Sequence, residues 1–449
     1  MVFSLLRLTS PMHVGSGADS HLADQPVIRD TRGLPFIPGG TLAGSFGALL
    51  DQKRRTQWLE PHNNNRPLPS PLVFNDAFPI PEQEEALCRP VEIRAQVTIR
   101  RDTITALEDH CFTMEVVPPG TLFRFFCRID LESYSETTEF LSEMKRFLET
   151  ANPMGGKVRS GTGHWEAEQW AYRILDLSNV SDLMLWLTKG HGYLWDGKWE
   201  SLNNDFKIQP KKLGSTSRPA WKMTMDVSIQ KGPHLLSAAS GLPRKGAPDL
   251  RQARRMKIDP GGVLSDEPVD YGSALKGRLR TAMEMLLRTY LVRNIRTSPD
   301  KVRELLPVSP AEKPPWEKLA DFFGYTGKKG RWGVKESPWE DWGEGREDHI
   351  RLCEFTQQAI KGAKFEFMPL CRGKSRVSVT LEGDAPEWQK ELLANAGRLL
   401  ALNILPWGGY GSRGYLGAEI QALGHDPYEP GSLKRFLQEE KGKGMFENG

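Results

Sequence analysis

A chain of 449 residues with 39% hydrophobic content, 13 Trp and 19 Phe is long enough to fill two or three packed domains. A formal net charge of only +3 excludes a globally basic polyanion binder, so any nucleic-acid contact has to come from local patches. There is no run of 18 apolar residues, the apolar stretch at the N-terminus is too short for a signal peptide, and the five cysteines form no C-x-x-C pair. A reduced, cytoplasmic chain without a membrane partner or disulfide framework is expected, with any zinc gathered only from dispersed ligands.

In chain order, the opening apolar strand leads to "SPMHVGSG", a turn carrying His13, and then to a loop with Asp24, Arg29 and Asp30. Residues 39–46, "GGTLAGSF", open an apolar-periodic helix at Gly39 and Gly40. After a middle region a further helix runs into "NPMGGKVRSGTGHW", a glycine-rich turn with Lys157 and Arg159. The segment 201–220 is polar and rich in linker residues, which divides the chain into a first domain at 1–200 and a second at 221–449.

The second part repeats the order of the first. "KGPHLLSA" carries His234, residues 272–279 read "GSALKGRL", and Leu275, Leu279, Ala282, Leu286 and Tyr290 follow at helical spacing with Ser273 as the N-cap. Lys276 and Arg280 lie four apart on one face near that N-terminus, a geometry suited to a phosphate. Between the His turn and the helix the second copy has a longer loop, and "RKGAPDLRQARRMK" falls there with Arg251, Arg254 and Arg255. Such a run is either a solvated surface or a contact to phosphate backbone, and its place beside a glycine-rich surface favours the contact.

The second glycine turn, "PWGGYGSRGYLG", spells G-x-G-x-x-G at Gly409, Gly411 and Gly414 and carries Arg413. A helix precedes it and a strand follows, the reverse of what a dinucleotide fingerprint requires, so that reading is set aside.

With these blocks in order the chain resembles the RAMP superfamily of CRISPR effector complexes. "HVGSGADSHLADQPVIRDTRGLPFIPGGTLAG", "SPLVFNDAFP", "VEIRAQVTIRRDTITALEDHCFTMEVVPPGTLFRF" and "MGGKVRSGTGHW" are similar to the opening, middle, thumb and glycine-loop blocks of the type III backbone subunits that cleave target RNA. Two such units in one polypeptide look like the tandem-fused subunit of variant type III-D complexes. The resemblance implies an α+β fold of two tandem ferredoxin-like, RNA-recognition-type domains, each with a glycine-rich loop and a thumb insertion. It implies as partners a guide RNA, a target RNA and other effector subunits. Gly39, Gly40 and the glycine loops would bring backbone close to guide phosphate. Lys157, Arg159 and Arg29 would carry contacts that the first helix, with Ala43 and Gly47, lacks. Arg100 and Arg101 would stand in the thumb. His13 and His234, which recur with the repeat, would stabilise turns or touch RNA.

The cleaving aspartate of the family stands before "PVIRD", which here is Asp24, with Asp30 as a turn former. In the second loop Asp249, Asp259 and Asp266 compete, and counting back from Gly272 selects Asp259. Each carboxylate would act as a base or hold a divalent cation, Mg²⁺ by preference, while the ribose 2′-OH serves as nucleophile. A scaffold of the same fold without cleavage, and a metal-independent guide-precursor ribonuclease using His13 or His21, are the competing readings.

Overall fold

The computed structural model describes residues 1–18, 20–63, 66–99, 106–131, 133–189, 207–209, 220–235, 238–239, 248–306, 313–325, 327–405, 407 and 415–443. Arg100, Arg101, Arg413, the glycines of 408–414, Arg244 and Lys245 of the basic run, and most of the expected linker lie outside them.

The first half is built on β1 (Val2–Leu8), α1 (Gly39–Gly47), β2 (Leu72–Phe74), β3 (Glu92–Ile99), β4 (Ala106–Val116), β5 (Leu122–Ile129), α2 (Tyr134–Thr150), β6 (Trp165–Tyr172) and β7 (Lys207–Gln209). Its antiparallel sheet runs β7-β6-β1-β5-β2. Strand β1 reads as a continuous apolar run because both faces are covered. Val2, Leu6 and Leu8 join the core under α1 and α2 with Leu42, Phe46 and Phe147, while Phe3 and Leu5 pack on the other side against Ile80, Leu122 and Phe126. Ser133 caps α2 by accepting the Glu136 N–H, and Ala151 ends it in a left-handed conformation. Strands β3 and β4 leave the sheet as a separate hairpin, the thumb.

The second half repeats the plan with β8 (Ala220–His234), β9 (Leu250–Gln252), β10 (Arg254–Ile258), β11 (Leu264–Asp270), α3 (Gly272–Tyr290), β12 (Trp332–Val334), β13 (Ser337–Glu344), β14 (Glu347–Leu352), β15 (Ala359–Met368), β16 (Leu370–Glu382), α4 (Glu387–Ala401) and β17 (Leu416–His425). Its sheet runs β10-β11-β13-β16-β8-β17, with β12 also on β16. In each half the first strand lies between the strand that follows the glycine loop, β6 or β17, and the strand leaving the thumb, β5 or β16, the ferredoxin-like order with two helices on one face. The second thumb is β14–β15, and β9 joins it in parallel.

Two local expectations change. Helix α3 begins at Gly272 with Tyr271 at the N-cap position, whose hydroxyl donates to the Arg254 carbonyl and does not cap the helix, so Ser273 is inside the helix and not its cap. Residues Lys207–Gln209, within the segment read as linker, pair with β6 at the edge of the first sheet.

The halves are locked together by close backbone approach and buried charge. A Cβ on Gly272 would stand 2.0 Å from the Ser160 carbonyl oxygen, and one on Gly161 2.6 Å from the Glu336 nitrogen, so the first glycine loop seats on the start of α3 and on β12–β13 only because both positions are glycine. Arg94 of the first thumb, with its side chain 2% exposed, is paired with Glu92 and, across the junction, with Glu336. The Gln83 amide donates to the Asp259 carbonyl at 2.7 Å, and the Met256 N–H to Glu92 at 2.8 Å.

Candidate nucleic-acid interface

Asp24 stands on an exposed loop at the base of the first thumb. Its Oδ2 accepts the Thr113 N–H at 2.6 Å and the Thr113 hydroxyl at 2.9 Å, while its own N–H donates to the Thr113 Oγ1 at 3.0 Å. These bonds, the backbone one first, hold its pKa below the ordinary carboxylate value. Asp24 is therefore ionised at neutral pH, a poor general base and a good fixed anion. Its other oxygen accepts no hydrogen bond from the described residues. No cluster of three or more His, Cys, Asp or Glu side chains suited to a metal occurs among the described residues. A lone carboxylate with a free oxygen nevertheless suits Mg²⁺, which keeps waters and takes substrate phosphate oxygens as further ligands.

The loop is held from behind by Glu115, a residue that no local motif marks. Glu115 accepts the Val27 N–H at 2.9 Å and pairs with Arg29. Arg29 also donates to the carbonyls of Gly33 and Leu87. With its donors committed inside the fold, Arg29 is a pin under the loop and not a phosphate contact.

His13, 7% exposed, bonds through Nδ1 to the Glu115 carbonyl at 2.8 Å, and its own carbonyl accepts the Gly156 N–H at 2.8 Å. A Cβ on Gly155 would lie 2.3 Å from that carbonyl, so glycine there serves the contact between the His turn and the loop. His234 is completely buried against Trp339, with Nε2 3.8 Å from Asp270. It is a core residue in this arrangement, and the expectation of RNA contact is corrected. Gly39 is likewise a packing glycine, its missing Cβ 2.2 Å from the Phe74 carbonyl and its N–H given to Asp76, whereas Gly40 is exposed with open space beside it.

The basic run is corrected more sharply. It is no loop from Leu250 onward but the strands β9 and β10, and Arg251, Arg254 and Arg255 are all paired. Arg251 meets Glu344 at 3.3 Å, Arg254 meets Asp266 and Glu344, and Arg255 meets Glu267 at 2.7 Å. Arg280 is also withdrawn, 8% exposed, bonded to Glu284 at 2.8 Å and lying over Phe323.

Unneutralised charge collects instead along the junction of the halves. A cleft of about 1460 Å³ there is lined by Arg159, His164, Lys222, Lys329, Lys335 and Glu382, among others. Lys222, Lys329 and Lys335 are exposed and have no carboxylate at ion-pair distance among the described residues. Desolvation and then Lys222 lower the pKa of Lys335, and desolvation and then Arg159 lower that of Lys329. At the edge of this junction Lys276 lies over Trp332, its pKa pushed down to about 8 by burial and then by Arg280, Arg159 and Lys157. Lys157 has a left-handed backbone and lies over Phe112 at 5.0 Å. Arg159 is only partly free, being paired with Glu382 across the junction. Glu382 is the acid of this group, paired with Arg159 and partly offsetting the lowering at Lys329, so the cations outnumber it and form a surface suited to an anionic ligand.

Asp259 is not in the position of Asp24. Its N–H bonds to the Val263 carbonyl at 3.1 Å, its Oδ1 accepts the Val263 N–H at 2.8 Å, and Gly262 closes the turn at φ 84°. Asp30 makes the same set with Leu34, at 2.9 Å for both bonds, and Gly33 closes that turn at φ 81°. Asp259 is thus the counterpart of Asp30, a turn former, and its assignment as a cleaving residue and metal ligand is withdrawn.

Residues 5–166 match the RAMP superfamily. A curated relative from Methanocaldococcus jannaschii, the CRISPR system Cms endoribonuclease Csm3, is 27% identical over 183 residues, covering 35% of this chain and 72% of that protein. Among solved structures, a type III-B Cmr-beta complex studied by cryo-electron microscopy in its apo state contains a similar chain. It is 15% identical with a TM-score of 0.31, and the match covers 37% of this chain and 95% of that one.

Proposed function

We propose that this chain, whose residues 5–166 match the RAMP superfamily, is a guide-RNA-binding backbone subunit of a type III CRISPR effector complex that cuts target RNA at the Asp24 loop. The observation that carries the reading is the held, ionised and exposed Asp24 at the base of a thumb, inside the segment that matches the superfamily. The relative named an endoribonuclease supports the same chemistry.

The chain's part in cleavage follows from that geometry. Thr113 fixes the carboxylate, and Glu115 with Arg29 fixes the loop, so a target strand meets a preorganised anion instead of a mobile side chain. The 2′-OH of the target ribose is the nucleophile. Mg²⁺, held by the free Asp24 oxygen together with RNA phosphate and water, would neutralise charge developing on the phosphate. The cations of the junction would follow the guide backbone, a contact independent of sequence.

The test is a purified effector complex loaded with guide and given labelled RNA. Cutting of complementary but not unrelated RNA, with one cut position abolished in Asp24→Ala, is the expected result. Unchanged product bands from that variant would remove Asp24 from the chemistry.

A further inference from the structure

We propose that the second half carries its own cleaving carboxylate and that this residue is Asp249; the proposal rests on the functional reading above and extends it to a second cut. Asp249 Oδ2 accepts the Glu366 N–H at 2.7 Å, as Asp24 Oδ2 accepts the Thr113 N–H at 2.6 Å. The residue after each aspartate then pairs in parallel with the residue after each donor: Gln25 with Met114, and Leu250 with Phe367. Both donors lie on the strand that returns from the thumb, β4 in one half and β15 in the other, and each of those strands leads into the central strand that pairs with the first strand of its half. Both aspartates are exposed, and both stand between the His turn and the Asp-Gly turn that precedes the glycine-opened helix.

The neighbouring acids are otherwise engaged. Asp259 closes the turn equivalent to that of Asp30, and Asp266 is paired with Arg254, which lowers its pKa. Asp249 is instead held as Asp24 is, fixed to the returning thumb strand through one oxygen, with no hydrogen bond to the other among the described residues. Counting from Gly272 misses it because the β10–β11 hairpin pairs from Arg254–Pro268 through Ile258–Leu264, whereas the corresponding turn of the first half is closed by the single Arg29–Pro35 bridge.

The step it serves is a transesterification. The 2′-oxygen forms a bond to phosphorus and loses its proton to water, the bond from phosphorus to the 5′-oxygen breaks, and that oxygen takes a proton from water. The products are a 2′,3′-cyclic phosphate and a 5′-hydroxyl. Asp249 contributes a fixed negative charge beside the phosphate and is not consumed; its carboxylate would hold a divalent cation there, which would supply charge neutralisation at the phosphate.

The experiment uses the complete complex with guide, Mg²⁺ and end-labelled complementary RNA. Asp249→Asn keeps an acceptor for the Glu366 N–H but removes the charge. It is expected to slow one cut by about 10²–10⁴-fold while the cut abolished in Asp24→Ala persists, and Asp259→Asn is expected to leave both cuts in place. Guide RNA recovered with each variant reports assembly. An Asp249→Asn complex that carries guide and cuts every parental position at the parental rate overturns the assignment, and so does a variant that cannot assemble, which makes Asp249 structural. A parental complex that binds guide and cuts nothing overturns the functional reading and this proposal with it.

Discussion

The two halves share a sheet order and differ in how their loops are filled. In the first, the segment between the His turn and α1 is short, crossed by isolated bridges and pinned by Glu115 and Arg29. In the second the same segment grows into the hairpin β10–β11, whose arginines and acids neutralise one another and whose tip lies against the first half. What survives this divergence is a pattern of backbone hydrogen bonds: an aspartate bonded to the returning thumb strand, then an Asp-Gly turn, then a glycine-opened helix. Hydrogen-bond register is therefore a better guide to equivalent residues in this duplicated chain than residue count.

The junction between the halves should respond most strongly to substitution. Removing Glu336 leaves Arg94 charged, buried and without its partner across the halves, so Glu336→Ala should destabilise the protein by about 3–5 kcal/mol in denaturant unfolding. A change well under 1 kcal/mol would mean that the halves are not held by this ion pair. Gly155→Ala should cost about 1–3 kcal/mol, because the position combines a left-handed φ of 85° with the His13 carbonyl at 2.3 Å, while Gly40→Ala, with open space, should leave stability unchanged. Equal effects from the two would contradict the packing assigned to the glycine loop.

Charge placement separates the halves from their junction. Replacing Lys222, Lys329 and Lys335 together should make the salt dependence of RNA binding shallower by about 0.7–0.9 for each phosphate no longer neutralised. Replacing Arg251, Arg254 and Arg255 should leave that slope alone, since each already has a carboxylate partner. The reverse ranking would restore the basic run as the RNA surface. Lys276 adds a pH test. Its pKa of about 8 in the folded chain means that it is protonated below that pH and loses charge as pH rises through it, so phosphate binding above about pH 8 must take up a proton. RNA affinity should then fall by up to about tenfold per pH unit above 8, and Lys276→Arg should flatten the profile. The smallest effect is expected at Asp24. Thr113→Val keeps the N–H bond and removes the hydroxyl bond, raising the lowered pKa toward its ordinary value, so the acid limb of that cut should begin at a higher pH. An unmoved limb would remove Thr113 from control of the carboxylate.

Much of the architecture was legible because it is written locally. The glycines that open α1 and α3, the His turns and the thumb block are contiguous strings, and the Asp24 loop carries one too, which is why the sequence singles that residue out as a candidate. What escaped depends on residues far away in the chain. Arg29 looks available until Glu115 is set beside it, and the basic run looks free until Glu344 and Glu267 fold against it. His234 reads as the twin of His13, yet a larger core closes over it. Ser273 resembles an N-cap, but the backbone enters the helix one residue earlier. Lys222, Lys329 and Lys335 carry no local signal, since the cleft that gathers them forms only when the halves meet.

The decisive measurement is an experimental structure of the assembled complex with guide and a target made uncleavable by 2′-deoxy substitution at the cut positions. The guide backbone is expected along the Lys222, Lys329 and Lys335 cleft, with the Asp24 and Asp249 carboxylates each facing a target phosphate, close enough to act directly or through one bound cation or water. A guide running elsewhere on the chain, or a target strand that passes both aspartates on the opposite face of the thumbs, would contradict the assignment of both sites.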